Sequence, residues 1–177
     1  CCNPESQSFE IETMVINGKS KVMGKDVTVA EVMETVRKDM PYYLQSDGGI
    51  TLSGGECTLQ PEFSRGLLMA AKDMGISTAI ESMAFAKYEV IETLLPYLDT
   101  YLMDVKHMNP QKHAEFTGHE NTRMLENAVR IAHSGQTELI IRVPVVPGFN
   151  DTGKELLDIA AFADTLPGVN QIHLLPY

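Results

Sequence analysis

Residues 48–63 read GGITLSGGECTLQPEF. A short apolar run lies between two glycine pairs, closes on the carboxylate of Glu56, and is followed five residues on by Pro61. Strands apolar on both faces belong inside a parallel sheet. Paired glycines at the end of such a strand let the charged atoms of a ligand approach the backbone. The stretch therefore predicts a buried strand that aims an acid beyond its own end.

The same alternation continues along the chain. Apolar runs at ISTAIES (76–82), TYLMDVKH (100–107), ELIIRVPVVPG (138–148) and VNQIHLLPY (169–177) are separated by helical patterns near 62–74, 87–95, 110–117, 121–134 and 152–165. Pro96 and Gly135 stop two of these helices. A further helix over 27–40 opens at Thr28 as N-cap and lines Val32, Val36 and Met40 along one face. Five strands joined by crossover helices make an α/β fold with a parallel sheet. A doubly wound sheet and part of a barrel both satisfy the pattern, and five strands are too few for the eight-stranded barrel. The expectation is one domain over 1–177, an incomplete parallel β/α barrel.

With 24 acidic and 14 basic residues the chain carries a formal net charge of -10, which argues against a general nucleic-acid or anionic-membrane surface. No apolar stretch approaches the roughly 20 residues needed to cross a bilayer, and no basic-then-apolar leader opens the chain. A soluble, cytoplasmic protein is expected. Cys1, Cys2 and Cys57 do not form a disulfide framework. The chain does not open on Met, so these residues are expected to begin inside a longer protein.

In either sheet architecture ligands gather at the carboxyl ends of the strands. Those ends carry Ser53-Gly54-Gly55-Glu56, then Glu81-Ser82, then Asp104-Val105-Lys106-His107, then Arg142 with Pro144, Pro147 and Gly148, and last His173. Alternation places Asp104 and Lys106 on one face, expected inward, where they either pair or hold a polar ligand. Each feature also has a plain reading. Gly-Gly is a turn, Asp104 and Lys106 a structural ion pair, and Arg142 a counter-charge to the acids. Cys57 is a small buried apolar residue, and the methionines fill core gaps. His107, His113, His119, His133 and His173 share no metal-ligand spacing. What weighs against the plain readings is convergence on one sheet edge, which suits a small ligand of mixed charge such as an amino-acid derivative.

The motifs GGITLSGGE, YLMDVKHMNPQKHAEFTG, IIRVPVVPGFND and IHLLPY, with CCNPES at the start, occur in the order seen in radical S-adenosylmethionine enzymes. More narrowly the chain resembles the activating enzymes of glycyl radical enzymes, the pyruvate formate-lyase activating enzyme type. CCNPES resembles the tail of the family's C-x-x-x-C-x-x-C motif. By that match Cys1 is the third cluster cysteine and Cys2 the variable residue after it. The resemblance implies that Gly54, Gly55 and Glu56 receive the methionyl amino group of S-adenosylmethionine. It further implies that Cys2, Glu81, Asp104, Val105, Lys106 and Arg142 belong to the same cofactor site, and that Cys1 ligates a [4Fe–4S] cluster. Family members use the reduced cluster to cleave the cofactor's sulfonium, and the adenosyl radical takes hydrogen from a glycine of the partner. A glycyl radical enzyme as partner and reduced flavodoxin or ferredoxin as electron donor follow from the same likeness.

The chain departs from that pattern in four places. One of three cluster cysteines is present, the barrel's first strand is missing, IHLLPY stops where relatives continue, and Cys57 replaces a common proline. A fragment unable to complete the cluster is therefore expected. Two other readings stay open: a radical enzyme acting on a small molecule, and a non-catalytic binding domain that has lost the cluster.

Overall fold

The computed structural model describes residues 12–16 and 18–176. Its first element is an antiparallel hairpin, β1 (Glu12–Ile16) and β2 (Lys19–Met23), turning at Gly18 with φ +74°. The sequence reading did not anticipate this hairpin. Its strands lack a sustained apolar face, although Asn17-Gly18 is a dipeptide typical of hairpin turns.

Helix α1 (Val29–Val36) starts on a full capping box. The Thr28 side chain accepts from the Glu31 amide, and the Glu31 carboxylate accepts from the Thr28 amide at 2.7 Å. The helical path runs through a 3₁₀ turn at Arg37–Asp39 into α2 (Met40–Ser46), so it continues beyond the limit expected at residue 40. Five parallel strands follow: β3 (Gly49–Leu52), β4 (Ser77–Ser82), β5 (Thr100–Asp104), β6 (Glu138–Val145) and β7 (Ile172–Pro176). Each falls within a run anticipated from the sequence. The connections carry α3 (Pro61–Asp73), α4 (Tyr88–Glu92), α5 (Pro110–Thr117), α6 (Thr122–Ser134) and α7 (Gly153–Asp164).

Strand order in the sheet is β3-β4-β5-β6-β7, the order of the chain. Right-handed crossovers that always step the same way put their helices on one side of the sheet, whereas a doubly wound sheet needs a reversal of order. The order therefore selects the partial barrel. Burial agrees. Ile80, Tyr101, Met103, Ile141 and Val143 face the helices and pack with Leu68, Ile91, Leu94, Ile131 and Ile159 in the main core. Met33, Leu67, Ala71 and Ile76 form a second cluster where α1 meets α3. Gly49 is required by close approach, since a Cβ there would overlap the Ser77 carbonyl of β4.

The opposite face of the same strands carries Glu81, Asp104 and Arg142, all only partly buried. The fold thus sets one polar face at the carboxyl edge of the sheet, next to the loop that follows β3.

Candidate functional site

Register brings the charged residues together. Asp104 of β5 lies opposite Arg142 of β6, and Glu81 of β4 lies opposite Leu102 of β5. The Arg142 guanidinium reaches both acids. Its Nε donates to Asp104 Oδ1 at 2.9 Å, its Nη2 lies 2.8 Å from the same oxygen, and its Nη1 donates to Glu81 Oε1 at 2.6 Å. Ser53, just past β3, donates to Glu81 Oε2 at 2.7 Å. One polar chain therefore crosses four strands, from Ser53 to Asp104. The Ser53 hydrogen bond first, and then Arg142, hold the Glu81 carboxyl below the usual carboxylate range against the opposing effect of burial. Burial would lower the Arg142 pKa, but Asp104 and Glu81 outweigh it and raise it.

Asp104 is thus spent on Arg142 and not on Lys106, which forms no ion pair among the described residues. Of the alternatives expected for Asp104 and Lys106, the mutual pair is not formed; Asp104 is bridged to Glu81 by Arg142 instead. Val105 buries its side chain in the core and donates its N–H to the Arg142 carbonyl at 2.9 Å. Asn150 secures the loop behind Lys106, donating to the Lys106 carbonyl at 2.6 Å and to the Pro144 carbonyl at 2.9 Å.

The Gly54-Gly55-Glu56 turn sits at the same edge. Gly54 has φ +120°, and nothing lies within 4 Å of where its Cβ would be. Glu56 caps the 3₁₀ turn Cys57–Leu59. Its Oε1 accepts from the Thr58 amide at 3.1 Å, the Thr58 hydroxyl at 2.8 Å and the Ser82 hydroxyl at 2.8 Å. Its Oε2 accepts from the Met83 amide at 3.2 Å. Beside this turn a cavity of about 380 Å³ lies between the rim of β3 and α3, walled by Leu52, Leu59, Phe63 and Leu67 and touching Ser53, Gly55 and Glu56. Asp104, Lys106 and Arg142 do not line it.

Cys57 is buried, and burial first, with the nearby Glu56 charge, pushes its thiol up to about 12. It is a neutral core residue and not a thiolate ligand. Among the described residues no three His, Cys, Asp or Glu side chains are arranged to hold a metal. Cys1 and Cys2, the residues matched to the cluster motif, lie outside the described residues, as does Tyr177.

Residues 1–163 match the family described as the Radical SAM superfamily. This chain belongs to the radical SAM superfamily. Among curated radical SAM relatives, the isethionate sulfite-lyase activating enzyme of Desulfovibrio desulfuricans is 41% identical over 157 residues, 88% of this chain and 50% of that protein. The 4-hydroxyphenylacetate decarboxylase activating enzyme of Clostridioides difficile is 36% identical over 174 residues, 98% of this chain and 54% of that protein. A crystal structure of a domain of pyruvate-formate lyase-activating enzyme from Bacteroides vulgatus superimposes with TM-score 0.67 at 31% identity, covering 73% of this chain and 81% of that one. The chain spans about half the length of the curated relatives it matches.

The radical SAM family uses S-adenosylmethionine and a [4Fe–4S] cluster. The described residues fit the first. Glu56, Glu81 and Asp104 against Lys106 and Arg142 leave one net negative charge, opposite to the single net positive charge of an ammonium, a carboxylate and a sulfonium together. They do not hold the second, for the reasons given by Cys57 and by the lack of any three-ligand cluster.

Proposed function

We propose that this chain is the cofactor-binding part of a glycyl-radical-enzyme activating enzyme, with Gly54, Gly55, Glu56, Glu81, Asp104, Val105, Lys106 and Arg142 forming the S-adenosylmethionine site. The observation that supports this reading is the polar rim, where the Arg142 bridge holds Glu81 and Asp104 at the strand ends and Ser53 ties Glu81 to the loop carrying Gly54, Gly55 and Glu56. The relatives named above are activating enzymes, which supports the choice within the superfamily.

Each group has a task under this reading. The glycines keep side chains away from the ligand, and Glu56 accepts from its ammonium. Lys106 meets its carboxylate. Arg142 fixes Glu81 and Asp104 in place and helps keep Glu81 ionised, so the rim does not reorganise when the ligand arrives. When bound and given one electron from the reduced cluster, S-adenosylmethionine would supply the chemistry that takes a hydrogen atom from a glycine Cα of the partner. The partner is a glycyl radical enzyme, the electron donor reduced flavodoxin or ferredoxin, and the compartment the cytoplasm. Among the described residues no helix is long and apolar enough to cross a membrane.

The test uses the full-length protein, with its cluster, under anaerobic reduction. Incubation with S-adenosylmethionine and a candidate glycyl radical enzyme should give a glycyl radical signal by electron paramagnetic resonance. Cofactor cleavage on small molecules, with no signal from any such partner, would instead mark a small-molecule radical enzyme. No cofactor binding at all would leave a non-catalytic domain.

A further inference from the structure

The turn after β4 is held in a conformation that its sequence does not favour. Ala84 is fully buried with φ +55°, a region that residues with a Cβ seldom occupy. Such a conformation persists only where its surroundings over-determine it. Here part of those surroundings is a buried side chain from α6. Asn127 Nδ2 donates to the Ala84 carbonyl at 2.8 Å and to the Ala86 carbonyl at 2.9 Å, and Asn127 is only 3% exposed.

That turn ends on Glu56. The Ala84 amide donates to the Ser82 hydroxyl at 3.0 Å, and the Ser82 hydroxyl donates to Glu56 Oε1. The neighbouring Met83 amide donates to Glu56 Oε2. With the two Thr58 donors and the weak Cys57 thiol donor at 3.8 Å, Oε1 accepts four hydrogen bonds and Oε2 one. Each carboxylate oxygen offers about two acceptor sites, so Oε1 is saturated and Oε2, with one donor, has one site to spare.

We infer that Asn127 is a positioning residue for the cofactor's ammonium group. By pinning the 83–86 turn it locks the Glu56 carboxylate with Oε1 filled and Oε2 available. The inference rests on the reading that Glu56 receives that ammonium. Asn127 touches no cofactor; it acts through Ser82 and Met83.

The experiment is a double-mutant cycle on S-adenosylmethionine affinity, measured by calorimetry on the full-length protein carrying its cluster. Thermal unfolding and hydrogen exchange at the Met83 and Ala84 amides are followed in parallel. Asn127→Ala should weaken binding about tenfold, the scale of one hydrogen bond to a charged group, and should lose protection at both amides. In the Glu56→Gln background the same substitution should change affinity less than twofold, because the carboxylate through which it acts is gone. If Asn127→Ala unfolds the protein, Ser82→Ala cuts the same relay one link later and is judged by the same cycle. Full additivity of the two substitutions, or wild-type affinity in a folded Asn127→Ala protein, overturns the inference while Glu56→Gln still weakens binding. Wild-type affinity in Glu56→Gln overturns the site reading itself, and the inference with it.

Discussion

The two faces of the sheet are made by alternate residues of the same strands and obey different rules. Ile80 is fully buried under the helices, while Glu81, the next residue, is hydrogen-bonded to Ser53 and Arg142 on the open face. Met103 and Asp104, and Ile141 and Arg142, repeat the contrast. On the covered face the gain is apolar area removed from water, which is large and indifferent to exact partners. On the open face the gain is directional pairing among groups still partly in water, which is small in energy and strict in geometry. The first face sets stability and the second holds charge in place.

Four measurements sharpen or break that division. Ile80→Ala should have the largest effect on folding, costing about 2–5 kcal/mol by chemical denaturation, as expected for a truncated core residue. Cofactor affinity of the molecules that remain folded should be unchanged. A loss of affinity beyond the unfolded fraction would mean the faces are not separable.

Arg142→Met should cost less, about 1–2 kcal/mol. Removing one partner of a fully buried ion pair costs about 3–5 kcal/mol, but Glu81 and Asp104 are 32% and 22% exposed, so water screens the stranded acids. Stability equal to wild type would show the bridge to be ornamental.

The third measurement is the pH dependence of stability in wild type and Glu81→Gln. The folded Glu81 pKa is depressed, so its contribution is present above the unfolded value, near about 4.3, and is lost as pH falls through the folded value. Wild type should therefore lose stability more steeply than the variant below about pH 4.3. Parallel curves in that acid window would remove Glu81 from the account.

Lys106→Met should have the smallest effect on folding, within about 0.5 kcal/mol, because Lys106 has no ion-pair partner to strand among the described residues. S-adenosylmethionine affinity should nevertheless fall about tenfold. A large stability loss with unchanged affinity would move Lys106 from the ligand site to the scaffold.

Local pattern alone made the five parallel strands, the Thr28 cap and the Gly135 stop legible, because apolar runs and capping residues act over a few neighbouring positions. It also placed the polar groups at one edge, since period-two alternation and strand ends follow from chain direction. The β1–β2 hairpin escaped because its strands offer no apolar face to read. Strand order, and with it the choice of partial barrel over doubly wound sheet, belongs to the tertiary structure, because nothing local says which strand becomes a neighbour. The partner of Asp104 was decided there too. Lys106 follows two residues later, past the end of β5, whereas Arg142 stands directly opposite Asp104 across a strand spacing of about 4.8 Å and carries a fork that reaches both acids. Asn127 meets Ala84 across 43 positions of sequence, a separation over which periodicity carries no information and only the packing of α6 against the sheet can act.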